Sequence, residues 1–151
     1  MTHYPLVGIF SLLFSRRGKI PTAVFLGGNN KHDVPVVGES HYQSELEWIA
    51  GGRTGDCVYH NCFAILIPDD ANLYDDNAIR IEIDGKMVGY LPATGAPKFR
   101  AALKDLNLAG QATFCRAKIV GGWDRGGDDY GHFGVLLNLA WPLKRRKTPT
   151  R

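Results

Sequence analysis

Ile79, Ile81 and Ile83 alternate with Arg80, Glu82 and Asp84, and the alternation stops at Asp84-Gly85. No other stretch of the 151 residues limits the fold so tightly. Side chains of a strand point alternately to opposite faces, so this period of two predicts a strand with one face in a core. Asp-Gly suits a two-residue hairpin turn, whose central residues both need positive φ. Met87–Leu91 is then the return strand. An isolated hairpin is marginal in water, so the rest of the chain must supply partners for it.

The partners can be read off on either side. Phe63–Ile67 is a continuous apolar run ended by Pro68 and predicts a buried strand. Val34–Val37 predicts a short one, and "QATFCRAKIVGGW" and "HFGVLLNLAW" predict two more. Ser44 followed by Glu47 has the spacing of a capping box, which predicts a helix from Glu45 with Leu46, Trp48 and Ile49 as its apolar side and Gly51-Gly52 as its stop. Phe99, Ala102, Leu103 and Leu106 recur at helical spacing ahead of Gly110. Five to seven short strands with two short helices predict a mainly β fold, a small OB-like or SH3-like barrel over residues 34–143.

Two flanks lie outside that barrel. Residues 1–33 read as an N-terminal extension whose apolar segments, Leu6–Phe14 and Ala23–Leu26, form a hairpin around Arg16, Arg17 and Lys19. Leu6–Phe14 is too short to cross a bilayer and has no flanking signal-peptide pattern. It is expected to pack in the core or onto a partner. The tail, residues 144–151, holds Lys144, Arg145, Arg146, Lys147 and Arg151. The net charge is +3, so removing these five leaves 3 − 5 = −2. A basic tail of this kind is either a solubilising end or a contact for phosphate backbones. Three cysteines make no disulfide framework and fit a reducing cytoplasm, with no membrane involvement.

Catalytic patterns are weak. Asp69, Asp70, Asp75 and Asp76 invite a metal-dependent nuclease, but two-metal chemistry needs carboxylates converging on ions about 4 Å apart, and these flank a turn. Solvated turn residues are the plainer reading. Cys57, His60 and Cys62, with distant Cys115, lack a usual zinc spacing. No metal, cofactor or catalytic residue is assigned, and the chain reads as a non-enzyme. The Gly- and Asp-rich loop Gly121–Gly131 has no phosphate-loop ending. It is expected to be mobile, with Trp123 and Arg125 open for stacking.

One stretch resembles something known. Val37-Gly38 and His41-Tyr42 are followed by Asn72-Leu73-Tyr74-Asp75-Asp76-Asn77-Ala78-Ile79, then Gly85, then Val88-Gly89-Tyr90-Leu91-Pro92. In this order the motifs resemble those of the HIRAN domain family, a module of helicase-like proteins, across about Val34 to Trp141. The resemblance implies a barrel that binds single-stranded DNA, especially a free 3′ end. By position it implies that Tyr74 stacks on a base and that Asp75 accepts a hydrogen bond from the terminal hydroxyl. His41 and Tyr42 would line the pocket, Tyr90 its far wall, and Phe133 would add an aromatic contact. The family often carries Tyr in place of His41, a basic residue in place of Ser40 and a lysine near Ala93, so this chain is expected to hold phosphate less firmly.

The residues allow the same chemistry on their own terms. Bases stack on aromatic rings at about 1–3 kcal/mol each, whatever their sequence. Asp and Asn in "YDDNA" are also turn formers that bond their own backbone, and Asn77 fits that role. Tyr74, Tyr42 and Tyr90 can equally be packing residues. The expected function is therefore a nucleic-acid-binding module for single-stranded DNA or a DNA 3′ end that positions a protein partner such as a nuclease, helicase or effector complex. A protein–protein interaction subunit of a nucleic-acid-processing complex is the alternative, and a metal-dependent nuclease the third.

Overall fold

The structure is a computed structural model and describes residues 23–150. In chain order its strands are β1 (Val24–Phe25), β2 (Val34–Pro35), β3 (Val58–Pro68), β4 (Ile79–Ile83), β5 (Lys86–Tyr90), β6 (Thr113–Gly121) and β7 (Phe133–Leu137). A 3-10 turn, Glu39–His41, precedes helix α1 (Gln43–Ala50), and helix α2 (Ala96–Asp105) follows β5. Six strands form one path, β2-β7-β6-β3-β4-β5, antiparallel throughout, and β1 adds to β6 in parallel. The fold is mainly β with two short helices, and the sheet curls into an OB-like half-barrel.

The hairpin expected from the isoleucine alternation is present as β4–β5. Ile79, Ile81 and Ile83 are fully buried, and Asp84 and Gly85 have φ of 49° and 80°, the positive pair such a turn demands. The apolar run of β3 has a two-sided explanation. Cys62, Ala64 and Leu66 belong to the main core inside the curl. Phe63 and Ile65 point the other way, into a second cluster with Ala23, Phe25 and Phe114. A strand buried on both faces has no reason to alternate.

The two ends of the curled sheet meet at Val37. Its N–H donates to the Tyr90 carbonyl (2.8 Å), and the Tyr90 N–H donates back to the Val37 carbonyl (2.9 Å). On the other side of this segment the Val36 N–H donates to the Val135 carbonyl of β7. Residues 34–37 thus bridge β7 and β5. Gly89 makes the approach possible: a Cβ there would strike the Val37 carbonyl oxygen and the Val36 side chain, and φ is 150°.

Several expectations change. α1 starts at Gln43 with Tyr42 as its N-cap and no side-chain cap, so Ser44 and Glu47 form no capping box. Gln43 is instead drawn onto the rim of β7, and Glu47 pairs with Arg53 at 2.7 Å. Leu46 and Ile49 face the core but Trp48 is 68% exposed, beneath the Lys86 ammonium. The stop is as read, with Gly51 at φ 86° and the Gly52 N–H donating to the Glu47 carbonyl. The first arm of the expected N-terminal hairpin, Leu6–Phe14, lies outside the described residues, as do Arg16, Arg17 and Lys19. The second arm pairs with β6, and Phe25, Leu26 and Gly27 also pair with the start of the tail. The Gly27 N–H donates to the Lys144 carbonyl, and the Arg146 N–H to that of Phe25. Residues 144–146 are therefore a strand-like part of the body.

Candidate nucleic-acid interface

The bend before β4 is tied to itself at every step. The Asn72 side-chain oxygen accepts from the N–H groups of Tyr74 and Asp75, both at 2.9 Å. Asp75 Oδ1 accepts from the Asn77 N–H at 2.8 Å, and the Asp75 carbonyl from the Ala78 N–H. The Asp69 N–H closes the bend onto the Ala78 carbonyl. Arg100 of α2 fastens it from outside, donating to the carbonyls of Asn77 and Ala78 and pairing with Asp70 at 2.9 Å. The bend is held by its backbone, and the side chains at its tip stay outside. Leu73 is 92% exposed and Tyr74 96%.

Tyr90 stands at the foot of this bend and at the closure of the sheet. Its hydroxyl bonds the Asn72 side chain. Burial, then Asp69 and Tyr42, push its phenol above the ordinary range, against smaller opposing effects from Arg80 and that hydrogen bond. Tyr42 is half-buried, its hydroxyl 3.5 Å from the Met87 sulfur, and exposed His41 meets it edge-on with ring centroids 6.5 Å apart. The left-handed Gly38 (φ 82°) turns the chain out of the Val37 bridge into this pair. Three segments distant in sequence, 37–42, 69–78 and 87–90, are therefore gathered around Tyr90.

The fold brings Tyr42, Tyr74, Asp75, Asn77 and Tyr90 into this region, with His41 beside Tyr42. Asn77 contributes its backbone to the bend while its side chain stays exposed. Phe133 does not join them, and its expected role as an aromatic contact is corrected. It is 1% exposed, in the core, with the Arg53 guanidinium 4.6 Å above its ring and no face left for a base. Sequence reasoning missed Arg100 and Asn72. An asparagine two residues ahead of the exposed ring was a legible turn signal, whereas nothing near Arg100 in sequence points to the bend.

The charge around these rings is acidic. Asp69, Asp70, Asp75 and Asp76 share the bend, Arg100 is committed to Asp70, and Arg80 to Glu82 at 2.8 Å. What the site offers is ring faces and a carboxylate acceptor rather than free cations. Ser40, His41 and Ala93 are exposed.

The other candidates fare differently. Cys62 and Cys115 are buried core thiols, Cys57 is exposed, and among the described residues no three His, Cys, Asp or Glu side chains group to hold a metal ion. Among these residues no helix is long and apolar enough to cross a membrane. The loop Gly121–Gly131 is internally bonded rather than open. Trp123 bridges to Thr54 and its indole N–H donates to Asp129, while Arg125 donates to the Gly55 carbonyl. Compared with protein-family models, curated proteins and solved structures, the chain matches none.

Proposed function

We propose that this protein is a non-enzymatic nucleic-acid-binding module of the HIRAN kind, which takes single-stranded DNA by its 3′ end and positions a partner protein there. The observation that carries the reading is Tyr74, almost wholly exposed on a bend whose backbone is fixed by Asn72, Asp75 and Arg100. A ring on a rigid support gives up little conformational entropy when a base stacks on it. Asp75 supports the second half of the reading. Its Oδ1 is held by the Asn77 N–H, and among the described residues its other oxygen has no hydrogen-bond partner. That oxygen can accept from a terminal hydroxyl. In this reading Tyr42 and Tyr90 are the walls of the pocket, as the resemblance implies.

The test is a fluorescence-anisotropy titration at low salt with an oligonucleotide ending in a 3′ hydroxyl and its twin ending in a 3′ phosphate. The hydroxyl form should bind more tightly, since a phosphate would face Asp75 with a like charge. Tyr74→Ala should cost about 1–3 kcal/mol of affinity for it. Equal affinities for the two ends would remove the end-reading role, and an unaffected Tyr74→Ala would remove the stacking role.

A second reading, an interaction subunit of a larger complex, is favoured by one observation. Leu73 is exposed beside Tyr74, and the surrounding charge is acidic. An exposed apolar pair in an acidic rim suits a basic protein surface. Failure of both oligonucleotides to bind at low salt would favour it.

A further inference from the structure

Away from this site, Trp141 stands between two cavities. One, of about 180 Å³, reaches Val34, Leu91 and Leu139 and the start of α2 at Thr94 and Gly95. The other, of about 500 Å³, runs along Ala101, Ala102 and Asp105 of α2 to Pro142. Trp141 and Lys98 line both. The indole is 38% exposed, and Phe99 holds it edge-on with centroids 6.5 Å apart. The Lys98 ammonium lies 4.3 Å above the ring. A ring face occupied only by the end of an exposed lysine is one that a base can take, with the ammonium then free to meet a phosphate.

The basic segment begins three residues beyond. Its backbone bonds to Phe25 and Gly27 hold its cations on a support, and the Arg146 side chain packs against Gly27. Lys144, Arg145, Arg146 and Lys147 are exposed, and none pairs with an acid among the described residues. Three residues of chain span at most about 11 Å, so Lys144 is near Trp141. Lys98 lines both cavities, and Asp105 is the one carboxylate among their lining residues. With the four cations of the segment, the balance is opposite in sign to the bend at residues 69–76.

We propose that Trp141, Lys98 and the basic segment Lys144–Lys147 form a second contact for single-stranded nucleic acid. A base stacks on the indole, and the phosphates flanking it meet Lys98 and that segment. This rests on the nucleic-acid reading above but needs no terminus, so it binds the body of a strand. A polyanion without bases gains only the charge term.

The experiment uses the full chain, oligothymidylates ending in 3′ hydroxyl or 3′ phosphate, and polyglutamate as competitor. Trp141→Ala should weaken both oligonucleotides by about 5- to 150-fold, the range one stacked base commands. Trp141→Phe should retain most of the binding, and Lys98→Gln should weaken both ends equally. Neutralising Lys144, Arg145 and Lys147 to Gln should lower the salt dependence, log K against log salt, by about 2, at about 0.7 per phosphate contact. Asp75→Asn should change only the preference for the free end. If Trp141→Ala and Lys98→Gln bind as the parent does while Asp75→Asn loses that preference, the second contact is overturned and the end site stands. If Trp141→Ala weakens both oligonucleotides and no end preference exists, the end site falls and this contact stands. Polyglutamate displacing the oligonucleotide at equal charge would overturn it, as would no binding of either oligonucleotide.

Discussion

Gly89 sits where the curled sheet meets itself, and its missing side chain is what allows the Val37 carbonyl to come so close. Gly89→Ala should cost at least about 1–3 kcal/mol through backbone strain alone, with the collision at Val37 adding to it. A lower urea midpoint at unchanged slope would confirm this, and an unchanged midpoint would refute it. The Val-Gly-Tyr triplet that drew attention in the sequence therefore combines two duties. Gly89 serves closure, and Tyr90 serves both closure, through its backbone, and the candidate site, through its ring. Asn72 and Asp75 were legible as turn formers because their bonds are local. Arg100 was not, because its hold on Asn77 and Ala78 exists only once α2 is docked.

At the scale of elements, the rim of β7 shows how an exposed strand edge is satisfied without another strand. The Gln43 amide accepts from the Phe133 N–H at 2.8 Å and donates to the Phe133 carbonyl at 3.0 Å, as a neighbouring peptide group would. Glu39 continues the row, accepting from the Val135 N–H at 3.1 Å. Burial holds the Glu39 carboxyl above its ordinary range despite that bond. An acid whose folded pKa is raised takes up a proton on folding between its ordinary and raised values. Its contribution to stability therefore grows as pH falls through the raised value and is lost as pH rises through it. Glu39→Gln, which keeps an oxygen for Val135, should flatten that part of the stability–pH curve relative to the parent. Parallel curves from pH 7 down to about 4.5 would show that Glu39 contributes nothing there. The rim also sets the helix start. Ser44 and Glu47 have capping spacing, but Gln43 is pulled onto Phe133, and α1 begins there. The β4–β5 hairpin was readable because its pattern and its turn are contiguous. The parallel pairing of Val24 and Phe25 with Thr113 and Phe114 was not, since no local signal names so distant a partner.

For the whole molecule, the ends of the described chain matter more than their composition suggested. Residues 25–27 and 144–146 bond one another, so the basic segment is part of the sheet's support. Deleting residues 144–151 removes at least two backbone hydrogen bonds and exposes part of Leu26, a loss expected at about 1–3 kcal/mol. A chemical denaturation midpoint equal to that of the full chain would mean that the segment only decorates the surface. Charge is divided as well. Carboxylates gather on the bend beside Tyr74, and cations that pair with no acid among the described residues lie along the segment past Trp141. The link between Val37 and Tyr90 has one more effect. Its two backbone hydrogen bonds join β5, at one end of the strand path, to the segment that leaves β2 at the other, so the two ends of the sheet cannot part without breaking them. A ligand that touched both the Tyr90 ring and residues 37–42 would bind only the joined form and would raise the unfolding midpoint.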